Sequence, residues 1–199
     1  ESNNFGKFEL EPLERGFGTT LGNALRRVML SSMPGSAIVA VKIDGVMHEF
    51  QTIDGIVEDV TSIVLNLKNV VVKKQTSDVK IAHLHVEEER VVTAADIITD
   101  EDVEIVNPTQ EIATISKGGK LDMEFIIASG RGYVPSNENK KYIEDSKIGF
   151  IPIDALYSPI ERISYDVDSA RVGQDASYDK LIMNVYTNGS IRPEEAMAL

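Results

Sequence analysis

Residues 16–35 read GFGTTLGNALRRVMLSSMPG, and the rest of the chain is best approached from them. Gly16 and Gly18 punctuate the backbone ahead of Thr19 and Thr20, either of which can cap a helix by accepting an N–H on its hydroxyl. Pro34 disfavours helical geometry in the residue before it, and Gly35 follows as a turn former. The spacing therefore predicts a helix over residues 20–32. At about 100° per residue, Leu21, Leu25 and Val28 fall on one stripe, with Phe17 one turn earlier, as expected of a core or self-association surface. Asn23, Arg27 and Leu30 lie nearly opposite, at i, i+4 and i+7, with Arg26 at the edge. Arginine keeps a rigid, charged five-donor fork when desolvated, and a neighbouring leucine can fill an apolar pocket. That second face is a candidate contact surface, although a solvated arginine pair accounts for the same residues about as well.

Working outward, residues 8–14 look extended. Val39, Val41 and Ile43 alternate, Asp44-Gly45 tolerates positive φ, and residues 46–50 can return as a hairpin partner. Val57, Val60, Val64 and Leu67 recur at helical spacing after Asp54-Gly55, which predicts a second helix ending near Lys68. Between residues 69 and 150 the patterns turn short and strand-like, at 70–73, 79–86, 103–106, 111–115 and 121–128. Gly118-Gly119, residues 129–132 and the polar run 135–147 read as loops. Ile163, Tyr165 and Val167 alternate on one later strand and Leu181, Met183 and Val185 on another, followed by an Asn188-Gly189 turn. Pro193 and the glutamates after it open a short helix. Helix and strand at both ends, with a β-rich middle, predict an α+β fold: a discontinuous unit of helices on an antiparallel sheet, interrupted by an inserted mostly-β module.

The charge balance bounds the function. Lys and Arg total 20 against 32 Asp and Glu, for a net charge of −12. Tight nucleic-acid binding relies on cations that displace phosphate counterions, so none is expected of this chain. There is no cysteine, hence no disulfide, thiolate nucleophile or zinc–cysteine site, and a reducing, cytoplasmic compartment fits. No apolar run reaches the ~18 residues of a membrane span. The chain opens at Glu1 without an initiator Met, and its final helix stops after about two turns, so both ends read as cut.

Candidate chemistry is thin. Gly16, Gly18 and Gly22 spell GxGxxxG ahead of a helix, which raises a small nucleotide-binding enzyme as an alternative. The spacing departs from GxGxxG, however, and no P-loop lysine follows. His83 and His85 share a strand face with Glu87 in reach, but three histidines and no cysteine make a poor ligand set, and His48 stands alone. The carboxylate clusters at 87–89, 100–102 and 138–145 fall in polar stretches where solvation explains them. Asn188-Gly189-Ser190 has the form of a glycosylation acceptor and reads better as a tight turn. No catalytic residue, metal or cofactor is assigned.

The longest signal is a resemblance. Residues 10–36, LEPLERGFGTTLGNALRRVMLSSMPGS, resemble the signature segment of the bacterial RNA polymerase alpha subunit family. The likeness continues through IDGVMHEF (43–50), GIVEDVTSIVLNLK (55–68), VTAADI (92–97), DVEIVNP (102–108), GRGYVP (130–135), YSPIERISY (157–165) and DKLIMNVYTNGSIRPEEA (179–196). It implies the family's N-terminal domain, a non-catalytic scaffold that dimerises and recruits the beta and beta-prime subunits. It implies a dimerisation subdomain at 1–34 and 159–199 and a β-rich insert at 35–158. It associates Arg27 and Leu30 with beta binding, to which the helical wheel adds Asn23 and Arg26, while Phe17, Leu21, Leu25 and Val28 are left to the homodimer. A full subunit of the family also has an earlier strand, a longer dimerisation helix, a linker and a C-terminal DNA-binding domain, none of which is in this sequence. A dimeric adaptor outside polymerase is the remaining alternative.

Overall fold

Alternating apolar residues need a sheet with one buried face, and the later part of the chain has them in two long runs. In the computed structural model, which describes residues 4–143 and 148–198, these runs are the two longest strands. In chain order the elements open with β1 (Phe5–Glu14), α1 (Phe17–Ser32), β2 (Pro34–Ile43), α2 (Val60–Leu67), β3 (Val72–Lys74) and β4 (Lys80–Val86). Next come β5 (Val91–Thr93), β6 (Val103–Ile105), β7 (Glu111–Thr114), β8 (Leu121–Arg131) and β9 (Tyr133–Val134). The last are β10 (Ile151–Pro152), β11 (Ala155–Leu156), β12 (Ile160–Val172), β13 (Asp175–Thr187) and α3 (Pro193–Ala198). The fold is α+β. None of the described helices is long and apolar enough to cross a membrane. The described residues divide into two compact units: those up to Met33 together with those from Ser158 onward, and Pro34–Tyr157.

In the first unit, β13 is the centre of a three-stranded antiparallel sheet, ordered β1-β13-β12. Its register sets Ile163 opposite Val185 and Tyr165 opposite Met183 on one side, and Phe8 opposite Met183 and Leu10 opposite Leu181 on the other. Period-two geometry sends Leu181, Met183 and Val185 to one face, where all three are fully buried. Each such burial is worth roughly 1.5–3 kcal/mol. Pro12, which has no N–H to donate, falls in the register shift between Leu10 and Leu13. Helix α1 covers the buried face with Met29 and Met33. It stops where the sequence predicts: Met33 takes φ −72° and ψ 130°, the extended geometry imposed by Pro34. Its start differs and lies at Phe17, three residues before the expected position.

The Pro34–Tyr157 unit holds a six-stranded antiparallel sheet, β4-β8-β2-β3-β6 with β10 also on β2. Two expectations fail on β2. Residues 46–50 do not return as its hairpin partner, because one edge of β2 pairs with β8 from Pro34–Arg131 to Ile43–Met123 and the other is taken by β10 and β3. The Gly45 turn does form, with φ 83° and Val46 N–H donating to the Ile43 carbonyl, but the chain then leaves the sheet as a loop. Residues 129–131 are strand where a loop was expected. Gly35 and Gly130 sit opposite each other there, and a Cβ at Gly130 would fall 2.5 Å from the Tyr157 ring. These glycines serve close packing inside a strand. Burial pushes the Tyr157 phenol well above its usual range.

The second helix begins at Val60, since Asp59 caps it by accepting the Ser62 N–H at 2.8 Å. Val57 therefore lies outside it and is exposed, and the inward stripe is Val60, Ile63, Val64 and Leu67. Strand β5 runs into a capping box between Thr93 and Asp96. The short strands β5, β9, β10 and β11 went unpredicted because two or three residues carry no readable period, whereas β7 lies within the strand expected at 111–115. Within the polar run 135–147, residues 138–142 form a 3-10 turn, and residues 144–147 lie outside the described residues.

Candidate protein-contact surface

Gly16 adopts a left-handed conformation, φ 85°, and no side chain of its own neighbourhood caps α1. The cap comes instead from β13. Asp179 Oδ2 accepts the N–H of Gly16 at 2.9 Å and that of Gly18 at 3.1 Å, placing a carboxylate at the positive end of the helix. The Thr20 hydroxyl donates back to the Gly16 carbonyl at 3.5 Å, so the expected threonine cap is replaced by one contributed from 163 positions away. The same geometry removes the case for a nucleotide loop at Gly16–Gly22. The N–H groups of Gly16 and Gly18 are already bonded to carboxylate, and Gly18 and Gly22 are used for packing. A Cβ on Gly18 would lie 2.9 Å from Val167, and one on Gly22 2.7 Å from the Tyr165 ring. These glycines let the helix backbone approach the sheet.

The buried line of α1 is Gly18, Gly22, Met29 and, at its end, Met33. This corrects the helical wheel. The Leu21, Leu25 and Val28 stripe is one flank of the buried line, with Leu21 and Leu25 half-buried against the core and Val28 56% exposed. Phe17, on the same flank, is 49% exposed. The other flank does not stand clear of the sheet either. Arg26 Nε donates to the Ile163 carbonyl at 3.1 Å, the Tyr165 hydroxyl donates to Asn23 Oδ1 at 2.8 Å, and Leu30 packs at the core margin. Arg27 is exposed. The helix thus presents two flanks, one apolar and one headed by Arg27, on either side of a buried seam. Asp179 and Tyr165, which set the pose, were not read from the sequence. Nothing local to either residue marks it as a partner of a helix so far up the chain.

Elsewhere the polar clusters are accounted for by ordinary pairing. His83 and His85 face Glu124 and Asp122 across the strand pair, each at 3.5 Å and on an exposed face. No set of three or more His, Asp or Glu among the described residues is arranged to hold a metal ion. Asp102 and Asp100 both bind Lys80, at 3.0 and 3.2 Å, and hold its ammonium above its usual range. Arg90 grips Asp96 with both arms of its fork, at 2.8 and 2.9 Å.

Residues 41–158 match the family model described as the RNA polymerase Rpb3/RpoA insert domain. A match of that extent defines the class: a polymerase-type insert carried within a second, discontinuous unit. The chain is 55% identical over 196 residues to the DNA-directed RNA polymerase subunit alpha of Symbiobacterium thermophilum, covering 98% of this chain and 62% of that protein. It is 54% identical over 199 residues to the same subunit of Oceanobacillus iheyensis, covering 100% and 63%. The figures for Moorella thermoacetica are 54% over 194 residues, 98% and 61%. The chain belongs to the bacterial DNA-directed RNA polymerase alpha subunit family. It spans about three-fifths of the length of these relatives.

Proposed function

We propose that this chain is an assembly scaffold of bacterial RNA polymerase, contributing no catalytic residue, that dimerises and recruits the beta and beta-prime subunits. The observation that carries this is the pose of α1: a helix pinned to its sheet by close glycine contacts and a remote carboxylate cap, yet leaving Phe17 and Val28 about half exposed on one flank. Apolar side chains held rigid and half-covered favour association, because little entropy remains to be lost on binding. In this reading Phe17, Leu21, Leu25 and Val28 meet the same flank of a second copy, the self-complementary arrangement that a twofold dimer requires. Arg27 and Leu30 contact the beta subunit, while Asn23 and Arg26 orient them through Tyr165 and the Ile163 carbonyl.

The test is capture of purified beta subunit by the immobilised chain. Arg27→Ala should lose capture by the ~2 kcal/mol or more of an arginine hot spot, about thirty-fold, with fold and self-association unchanged. Capture at the wild-type level would remove Arg27 from the contact.

A further inference from the structure

The Asn188-Gly189-Ser190 turn is unused by the scaffold reading, and its geometry has chemical content. Ser190 aims two donors at one oxygen: its N–H reaches Asn188 Oδ1 at 3.0 Å and its hydroxyl reaches the same atom at 2.6 Å. Two convergent donors on a carbonyl oxygen are the arrangement of an oxyanion hole, which stabilises the negative charge that develops when a nucleophile attacks the carbon. The nucleophile within reach by covalent connection is the Gly189 amide nitrogen. That residue has no side chain to obstruct ring closure, and φ is 95°. Asn188 is held from behind by its own N–H, which donates to the Pro159 carbonyl at 2.8 Å, and the turn is only half-buried, so water reaches it.

We infer that Asn188 is a self-modification site, at which the folded turn promotes deamidation of its own side chain. The Gly189 N–H, whose bond to Thr187 Oγ1 is long at 3.4 Å, loses its proton to a solvent base, and the nitrogen closes on Asn188 Cγ. The Cγ–Nδ2 bond breaks, and Nδ2 leaves as ammonia after taking a proton from solvent. Water then opens the cyclic imide. Attack at Cγ yields aspartate on an unchanged backbone, and attack at the α-carbonyl yields isoaspartate, with an added methylene in the main chain. The net change is water gained and ammonia lost, with no oxidant or cofactor. Either product adds a negative charge between β13 and α3, just ahead of Glu194 and Glu195, and the isoaspartate also lengthens the connection.

The full chain is incubated at mildly alkaline pH, and the tryptic peptide beginning at Leu181 is followed by tandem mass spectrometry. That peptide also carries Asn184, a strand residue that serves as internal control. The expected result is a gain of one mass unit at residue 188 and not at 184, faster in the folded chain than in a synthetic peptide of the same sequence. Ser190→Ala, which removes one donor and keeps the N–H, should slow it several-fold while circular dichroism stays unchanged. An Asn188 that survives in the folded chain while the peptide deamidates, or a Ser190→Ala rate equal to wild type, would overturn the assignment.

Discussion

The two units bury their apolar residues differently. In the Pro34–Tyr157 unit, Phe125, Leu84, Ile63 and Ile112 are wholly covered, and among the described residues the apolar side chains packed half-covered against its two large buried clusters are Ile53, Ile105, Val134, Tyr142, Ile143 and Phe150. The helix-on-sheet unit has a smaller buried set, led by Leu181, Met183 and Val185. Half-buried around it are Phe8, Leu10, Leu13, Leu21, Leu25, Leu30, Tyr165, Ile191 and Met197. A unit that leaves so large a share of its apolar side chains half-covered is under-buried for its size, and such surface is where association gains most. Closed cores hold a fold together; open margins invite a partner.

The largest effect separating the units should come from truncating each at its most characteristic side chain. Phe125→Ala removes a fully buried ring and should cost about 3–5 kcal/mol, a large part of a domain's stability, read as a fall in the denaturant midpoint. Phe17→Ala, half exposed, should change monomer stability by no more than about 0.5 kcal/mol. Next comes the seam. Gly22→Ala adds a Cβ 2.7 Å from Tyr165; an overpacking cost of about 1–3 kcal/mol outweighs the ~1 kcal/mol gain in helix propensity, so the melting temperature should fall. Asp179→Ala uncaps α1 and should cost about 0.5–2 kcal/mol, with amide exchange rising first at Gly16 and Gly18.

The smallest effect is a pH dependence confined to the insert. The Arg90 fork, aided by the Thr93 N–H and opposed by burial, holds the Asp96 carboxyl below its ordinary range. A depressed folded-state pKa stabilises above the unfolded value, about 3.9, and that contribution disappears as pH falls through the folded value. Wild type should therefore exceed Asp96→Asn in thermal stability at neutral pH, with the gap closing below about pH 4.

What could be read in advance divides along the same physical line. The end of α1 at Pro34, the long strands β8, β12 and β13 and the α+β class were legible, because local sterics and side-chain period determine them. The partner of β2 was not. Asp44-Gly45 does make the expected turn, but pairing went to β8, some eighty positions along the chain, whose full-length register outweighs a short local return. The cap of α1 was hidden for the same reason, since Asp179 reads as one acidic residue among many until β13 carries it to Gly16. The wheel placed the two flanks of α1 but not the buried line between them, because Gly18 and Gly22 have no side chain to mark a stripe.

The central claim, that the apolar flank of α1 is an association surface, is met most directly by sedimentation equilibrium of the wild-type chain beside Val28→Glu. The account predicts a concentration-dependent dimer for wild type and a monomer with an unchanged circular dichroism spectrum for the variant. A wild-type chain that stays monomeric throughout, or a Val28→Glu chain that dimerises as tightly, would contradict it.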